Sequence, residues 1–384
     1  MKTIWKKLLC VCLAGVMLVG AAPVSAAQEQ VAYLQASYIN PLYEGVQPAV
    51  QNTPAARSIT RAVVCRDSVQ EAAKDLREGM KKRQETVQVS FMSYSNDQAV
   101  LDQLFQEAFA HTGDPAGGDY LFWHLAAWGA GGSVWNLGGK YRLDITCTMQ
   151  YISTPSQEQA VDAAVKKLLD QLNVYHLSDY QKVVAIHDYI CENIQYDYVG
   201  INTSLAHTAY AALINKKSVC QGYASLFYRL ALELGVDSRV INGIGNGGAH
   251  GWNIVKLDGL YYNLDSTWDA EWKQFGLNYQ YFLKSDANFP DHYRDDKFRT
   301  VSFYQAYPMG QKNYTPTQTV QKGNLDGVSG VTEDDAIYLL QHVLLPDVFP
   351  VSQNVDFDKS GVVDESDAIY LLQHVLLPEF FPLT

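Results

Sequence analysis

The middle of the sequence contains a cysteine in a setting that favours nucleophilic chemistry. Cys220 opens a segment whose large apolar residues recur at helical spacing until Gly235, so we expect Cys220 at the amino end of a helix. The unpaired amides and the positive end of the helix dipole favour thiolate over thiol there, and the same amides can stabilise an oxyanion. A cysteine at a helix start can equally be a small buried residue, so a catalytic role requires partners.

Three predicted strands downstream form the scaffold for such partners. Residues 239–244 and 249–257 have the apolar, β-rich character of strands and flank a glycine-rich turn. Asp258-Gly259 is a two-residue sequence that favours a type I′ hairpin turn. Residues 260–268 should therefore fold back antiparallel to the second strand.

This hairpin brings a base and an acid to one face of the predicted sheet. The turn places Trp252 opposite Asp265, and His250 lies two residues from Trp252 on the same face. The Asp265 carboxylate can accept a hydrogen bond from the imidazole, fix its tautomer and stabilise the imidazolium that forms when the ring takes the thiol proton. With Cys220, these residues predict a catalytic triad that needs no cofactor.

The amino end has the pattern of an export signal. Lys2, Lys6 and Lys7 precede an apolar run over 8–19 that is followed by small residues up to Ala27. The run is shorter than the roughly 20 residues of a membrane helix. Residues 1–27 are therefore predicted to be a cleaved signal peptide, so the protein is expected to be secreted, without a membrane span.

Charge and cysteine content limit the classes of partner. Loss of the three lysines, with no acids, takes the formal net charge of −12 to −15. Such a surface repels phosphate backbones, which argues against nucleic acid as a partner. Too few cysteines remain in the mature chain for a disulfide scaffold; they are Cys65, Cys147, Cys191 and Cys220.

Changes in pattern divide the rest of the chain. We expect an irregular lead-in over 28–60, a small α/β module over 61–155, a catalytic unit over 156–307, a linker over 308–322 and a separate tail over 323–384. Within the α/β module, an aromatic run could bind sugar rings, but core packing is the favoured interpretation. This run comprises Tyr120, Phe122, Trp123 and Trp128.

Three segments resemble the core motifs of the transglutaminase-like superfamily. They are Val219–Ala224, Ala249–Asn253 and Tyr262–Trp268, and the preceding His187–Ile190 region also resembles bacterial members. The similarity covers about residues 156–290. It implies an α+β, papain-like core in which the nucleophile helix packs on an antiparallel sheet.

The resemblance also implies an activity. Cys220 would attack a glutamine carboxamide or a peptide carbonyl, with His250 as general base and then acid and Asp265 orienting it. The acyl-thioester would then meet water or an amine, giving deamidation, proteolysis or cross-linking of a protein or peptide substrate. A non-catalytic binding module of the same fold is the alternative. His187, His207 and Tyr210 could line the cleft, but packing roles are favoured.

The tail contains an internal repeat. Asp335–Pro346 recurs as Asp367–Pro378, 32 residues later, which predicts two equivalent units. Before the second copy, Gly361 holds the turn of a loop with the spacing of an EF-hand, whose hard oxygen ligands bind Ca²⁺. The ligands predicted for this loop are Asp356, Asp358, Ser360, the carbonyl of Val362, Asp364 and Asp367.

The loop before the first copy departs from this pattern. Its candidate ligands are Asn324, Asp326, Thr332 and Asp335, but Val328 and Ser329 stand where an oxygen ligand and a glycine are expected. A weak or empty site is therefore at least as consistent with this loop as a filled one.

The pair of loops resembles a type I dockerin, an all-α, EF-hand-like calcium-binding module. The resemblance implies that the tail docks one helix face onto a cohesin-bearing scaffold in a cellulosome-like or cell-surface assembly, in a calcium-dependent manner. Two similar docking faces would be offered by Tyr338, Gln341 and His342, and by Tyr370, Gln373 and His374.

Overall fold

A computed structural model describes residues 29–40, 63–201, 203–276, 278–316, 322–326, 330–351 and 353–383. The predicted signal peptide lies outside these residues. The chain forms two compact units. The first comprises the described residues up to Ala110 together with Leu125–Tyr151, and the second comprises His111–His124 and the described residues from Ile152 onward.

The first unit is a five-stranded sheet with two helices. Its strand order is β1-β4-β5-β3-β2, antiparallel except for the parallel pair β2 and β3. The strands are β1 (Glu29–Ile39), β2 (Cys65–Arg66), β3 (Thr86–Ser93), β4 (Leu125–Asn136) and β5 (Tyr141–Tyr151), and the helices are α1 (Val69–Lys81) and α2 (Ala99–Ala108). The core contains Phe105 stacked on Trp128, with ring centroids 3.7 Å apart.

The irregular lead-in predicted over 28–60 is wrong for its first part, because residues 29–39 form β1. This strand pairs antiparallel with β4 along its length. Its partner strand lies about a hundred residues away in the sequence, so no local sequence pattern predicts β1.

The helices of the second unit surround one almost fully buried helix, α7 (Cys220–Glu233). Two of them begin with capping boxes at Thr154 and Ser178, which satisfy the first backbone amides. None of the described helices combines the length and apolarity needed to cross a bilayer. The others before the tail are α3 (Gly118–Trp123), α4 (Pro155–Leu172), α5 (Asp179–Asn193), α6 (Ala209–Leu213), α8 (Ser266–Gln274) and α9 (Val301–Ala306).

An antiparallel sheet of order β10-β9-β8-β11 packs against α7. Its strands are β8 (Ser238–Gly245), β9 (Gly248–Leu257), β10 (Leu260–Leu264) and β11 (His292–Arg294), and a separate short pair joins β6 (Gln195–Tyr196) to β7 (Lys217–Ser218). The hairpin register is the predicted one, with Leu257 opposite Leu260 and Asn253 opposite Leu264. The third strand ends at Leu264, however, and not at residue 268, because Asp265 caps α8.

Two predicted boundaries require correction. Residues 111–124, assigned to the amino-terminal module, belong to the second unit, where Tyr120 and Trp123 lie in the core. The carboxylate of Asp119 also forms a two-point ion pair with Arg239, 2.7 and 2.9 Å. The predicted linker begins too early, because the backbone of Met309 bridges to Tyr261 and Tyr314 donates its amide to Leu283.

The tail contains two matched helices, α10 (Glu333–Leu344) and α11 (Glu365–Leu376). They share a small core. Equivalent bonds recur in the two halves: His342 Nδ1 lies 2.8 Å from the carbonyl of Phe349, and His374 Nδ1 lies 2.8 Å from that of Phe381. The described tail thus has the twofold repetition that the sequence predicts.

Candidate active site

Cys220 is the first residue of α7, as the helical spacing predicts. The backbone amides of Gly222 and Tyr223 both approach the carbonyl of Val219, at 2.9 and 3.2 Å, which closes the first turn tightly. Gln221 and most of the helix beyond it are buried, whereas Cys220 is only partly covered. The thiol therefore stands at an accessible point on an otherwise enclosed helix.

His250 approaches Cys220 because β9 runs close to the start of α7. A methyl group placed on Gly251 would lie only 3.9 Å from the Cα of Gln221. Further along β9, the side-chain amide of Asn253 donates to the carbonyl of Ala224, 3.0 Å. At this crossing the side chains of Cys220 and His250 lie close enough to interact.

Asp265 holds the opposite side of the imidazole. Its Oδ2 lies 2.7 Å from Nε2 of His250, so Nδ1 is the ring nitrogen left for Cys220. Its Oδ1 accepts the backbone amides of Thr267 and Trp268, 2.9 and 3.3 Å. The carboxylate of Asp265 is thus also the amino-terminal cap of α8, which fixes its orientation.

The charges of this site reinforce one another. Burial lowers the pKa of His250, but the charge and hydrogen bond of Asp265, together with Cys220, outweigh burial and raise that pKa to about 10. Burial raises the pKa of the Asp265 carboxyl, yet His250 and His292 hold it well below its usual range. The arrangement therefore favours an imidazolium at His250 beside the ionised carboxylate of Asp265.

A second histidine, His292 at the start of β11, was not predicted from the sequence. Its Nε2 lies 3.2 Å from Oδ2 of Asp265, and its side chain is only 1% exposed. The ring packs against Phe289 and Trp268, with centroids 3.9 and 4.3 Å away. The three-residue strand that carries His292 has no local periodicity, and its pairing with β8 is long-range, so the sequence offers no signal for it.

The donor atoms of His250, Asp265 and His292 lie within 4.8 Å of one another, a spacing that a metal ion could also use. Hydrogen bonds already join both imidazoles to the carboxylate. We therefore interpret the cluster as a proton-holding site.

The other residues considered as lining the cleft are held by hydrogen bonds or by core contacts. His187 is fully buried, with its ring nitrogens 3.0 Å from Ser266 Oγ and 3.1 Å from Asp269 Oδ2. His207 lies 3.1 Å from the carbonyl of Ile201, and Tyr210 packs against the core. These contacts agree with the packing roles favoured for all three.

In the tail, one group of predicted ligands converges. The carboxylates of Asp356, Asp358 and Asp367 lie within 4.8 Å of one another. Oδ1 of Asp356 is buried without a hydrogen-bond partner in the described part of the chain. Because an unpartnered buried carboxylate oxygen is costly, this geometry fits a cation.

The remaining predicted ligands of the second loop form local hydrogen bonds. Ser360 Oγ donates to the carbonyl of Val362, 3.0 Å, and Asp364 caps α11 by accepting the amide of Ser366, 2.8 Å. Gly361 has φ of +88°, the left-handed conformation that the sharp turn requires.

The first loop is described only in part, since Val328 and Ser329 lie outside the described residues. Asp335 accepts the amides of Leu325 and Asp326, 2.6 and 3.1 Å, as Asp367 accepts those of Phe357 and Asp358. Asn324 Nδ2 donates to the carbonyl of Gly330, 2.7 Å, which turns its amide group toward its own loop. Thr332 precedes α10 as its capping residue.

Comparison with known proteins agrees with the fold of the catalytic unit. Residues 166–266 match the family model of the transglutaminase-like superfamily, so the chain contains a domain of that superfamily. The human kyphoscoliosis peptidase is 30% identical over 169 residues, and the mouse protein is 29% identical over 168 residues. Each match covers 38% of this chain, and the chain spans a quarter of the length of these relatives.

Solved structures with some likeness include a transglutaminase and the periplasmic domain of TgpA from Pseudomonas aeruginosa. The first has a TM-score of 0.27 and 17% identity, covering 50% of this chain and 56% of its own. The second has a TM-score of 0.23 and 11% identity, covering 40% of this chain and 75% of its own.

Proposed function

Because the chain contains a transglutaminase-like superfamily domain, we propose that it is a thiol-dependent acyl-transfer enzyme acting on protein or peptide substrates. The observation that carries this proposal is the position of His250, which interacts with Cys220 on one side and is hydrogen-bonded to Asp265 on the other. A buried structural cysteine would not need an oriented and charged imidazole beside it.

The chemistry follows from these contacts. The Cys220 thiolate attacks the carbonyl carbon of a glutamine side chain or a peptide bond, and the electron pair of the carbonyl moves onto its oxygen. As the tetrahedral intermediate collapses, the carbon–nitrogen bond breaks. His250 transfers its proton to the leaving nitrogen, which departs as ammonia or as an amine.

The second half-reaction uses the same imidazole in the opposite sense. Neutral His250 takes a proton from water or from a primary amine, which attacks the thioester and releases Cys220 as thiolate. Asp265 stabilises the imidazolium in both halves. Water gives deamidation or proteolysis, and an amine gives a cross-link.

Mass spectrometry of a treated substrate tests this proposal. A glutamine-containing protein is incubated with wild-type protein or with Cys220→Ala, with and without a primary amine. Deamidation, cleavage or amine adducts that require Cys220 would support the proposal and would identify the acceptor. The matched control is Cys65→Ala, which removes an exposed thiol of the first unit and should change nothing. Equal inactivity of all three proteins would favour a non-catalytic binding module.

For the tail, we propose a calcium-dependent, dockerin-like module that binds a cohesin-bearing scaffold. The unpartnered Oδ1 of Asp356 and its two carboxylate neighbours support the calcium site. Asp356, Asp358 and Asp367 would supply the charged ligands, and Ca²⁺ would supply the charge neutralisation that stabilises the loop.

Exposed apolar side chains at equivalent positions of α10 and α11 support a docking role. They are between 38% and 67% exposed, and they comprise Ile337, Leu340 and Leu344, and Ile369, Leu372 and Leu376. Pull-down on an immobilised cohesin with Ca²⁺ and with chelator tests this proposal. Binding that survives chelation would contradict calcium dependence.

We also propose that the protein is exported, on the basis of its amino-terminal sequence pattern. Amino-terminal sequencing of the protein recovered from the culture medium would test this, with cleavage expected near Ala27. Recovery of protein that retains Lys2 would contradict it.

A further inference from the structure

A small cavity of about 180 Å³ lies beside the proposed catalytic residues. Its lining includes Trp252 of β9 and His292 of β11. Across the sheet, Gly243 of β8 pairs with His250 on one side and with Arg294 on the other. Directly paired residues share a face, so the cavity occupies the sheet face that carries the imidazole of the triad.

Arg294 provides a buried guanidinium group to the lining of this cavity. The residue is only 8% exposed, and its Nη2 donates to Asn263 Oδ1 and Asp286 Oδ1, 2.8 and 2.7 Å. Its Nη1 is buried without a hydrogen-bond partner among the described residues. Buried guanidinium donors are normally satisfied, since leaving one unpaired is costly. Nη2 of Arg294 is thus held in place by two acceptors, while Nη1 has no acceptor among the described residues.

The charges around the cavity favour an anion. Arg294 and Arg299 both line it, against the single carboxylate of Asp286. Asp286 is engaged by Arg294, and Arg299 approaches Asp296 at 3.5 Å with its side chain 57% exposed. A guanidinium with a free nitrogen recognises planar oxyanions, carboxylates above all.

We propose that this cavity is a carboxylate subsite that accepts an acidic side chain of the protein substrate. The volume equals that of about six water molecules, which suits a short carboxylic acid and not a larger ligand. His292 lies two residues from Arg294 on the same strand face and contacts Asp265. The acid would therefore come from a residue close to the reacting one. This inference rests on the proposed function and names a substrate preference for it.

Peptide binding to the full chain carrying Cys220→Ala tests the subsite without requiring turnover. Two fluorescent peptides are used, identical except that one has glutamate and the other glutamine on either side of a central glutamine. The glutamate peptide should bind at least about tenfold more tightly. Arg294→Gln and, separately, Arg299→Gln should remove that preference.

Arg66→Gln is the matched control, because Arg66 is also an exposed arginine paired with an aspartate, Asp75. It should retain the full preference. Arg299→Gln changes a surface residue and is expected to fold, so the test survives if Arg294→Gln unfolds. Thermal unfolding of each variant checks this.

Competition with inorganic phosphate distinguishes an acidic side chain of the substrate from a free anion as the ligand of this cavity. Phosphate that displaces the glutamate peptide without affecting the glutamine peptide supports the subsite. Phosphate binding in the absence of a glutamate preference would overturn it in favour of a free-anion site. Equal binding of the two peptides, or a preference that persists in both arginine variants, would also overturn it. Because Cys220 is absent, none of these outcomes depends on whether the protein is a catalyst.

Discussion

His292 and Asp265 form a buried contact of 3.2 Å between Nε2 and Oδ2, the same oxygen that lies 2.7 Å from His250. The other nitrogen of His292, Nδ1, lies 2.9 Å from the carbonyl of Pro290, which can only accept a hydrogen bond. His292 is thereby anchored to the backbone on one side and to the carboxylate on the other. It positions Asp265 and touches no reacting atom.

Removal of the His292 hydrogen bond should impair catalysis through Asp265. We expect His292→Phe to lower kcat/KM roughly ten- to a hundredfold, since small misplacements of catalytic groups have effects of that size. His292→Gln, which keeps a donor, should recover part of the loss. The pH dependence of Cys220 alkylation should shift in His292→Phe and be unchanged in Tyr293→Phe, a change at the exposed neighbouring position. Identical profiles in all three variants would contradict a positioning role.

The cysteines should differ sharply in reactivity. Burial raises the pKa of the Cys147 thiol to about 12 and raises that of Cys191 still further, so both should resist iodoacetamide at neutral pH. Cys220, partly exposed and beside His250, should react at least about tenfold faster than either. Cys65 is exposed and serves as a reference for an ordinary accessible thiol. Peptide mapping after timed labelling measures all four, and slow labelling of Cys220 would contradict an activated thiolate.

Stability should depend on pH through His250. The pKa of this residue is raised from 6.5 to about 10 in the folded protein. The contribution of His250 to the free energy of unfolding is therefore complete below pH 6.5 and is lost as the pH rises through 10. We expect the free energy of unfolding to fall over that window by up to about 5 kcal/mol more in wild type than in His250→Gln. Urea unfolding at a series of pH values measures this, and parallel curves for the two proteins would refute it.

Two aspartates of the tail should respond differently to substitution. Asp367 Oδ1 accepts the amides of Phe357 and Asp358, so Asp367→Ala should destabilise the tail with or without calcium, by roughly 1–3 kcal/mol. Within the described residues, the side chain of Asp358 accepts only a local hydrogen bond, from the amide of Ser360. Asp358→Asn should therefore weaken calcium binding and leave the calcium-free stability nearly unchanged. Calorimetric titration and thermal unfolding with chelator separate the two effects, and equal behaviour of the variants would contradict this assignment.

Local signals account for what the sequence predicted correctly. The helix from Cys220 and the hairpin turn at Asp258-Gly259 each depend on periodicity or turn chemistry within a few residues. The α+β class and the transglutaminase-like core were implied instead by the resemblance of three motifs, around Cys220, His250 and Asp265, to that superfamily. The approach of His250 to Asp265 followed from the hairpin register alone.

The errors share a different cause. Strand β1, His292 and the membership of residues 111–124 in the second unit all depend on partners distant in sequence. The predicted third strand extended too far because Asp265 is both the hydrogen-bond partner of His250 and the cap of a helix. No local pattern distinguishes an aspartate that continues a strand from one that ends the strand by capping the next helix.

The duplicated tail supplies an internal reference for its own chemistry. Tyr338 and Tyr370 donate to the carbonyls of Pro350 and Pro382, 3.2 and 3.3 Å, in otherwise matching surroundings. Any difference in ion affinity between the halves must therefore arise from their dissimilar loops and not from the helices. Exchanging the loop sequences would move the stronger site from one half to the other within a single molecule.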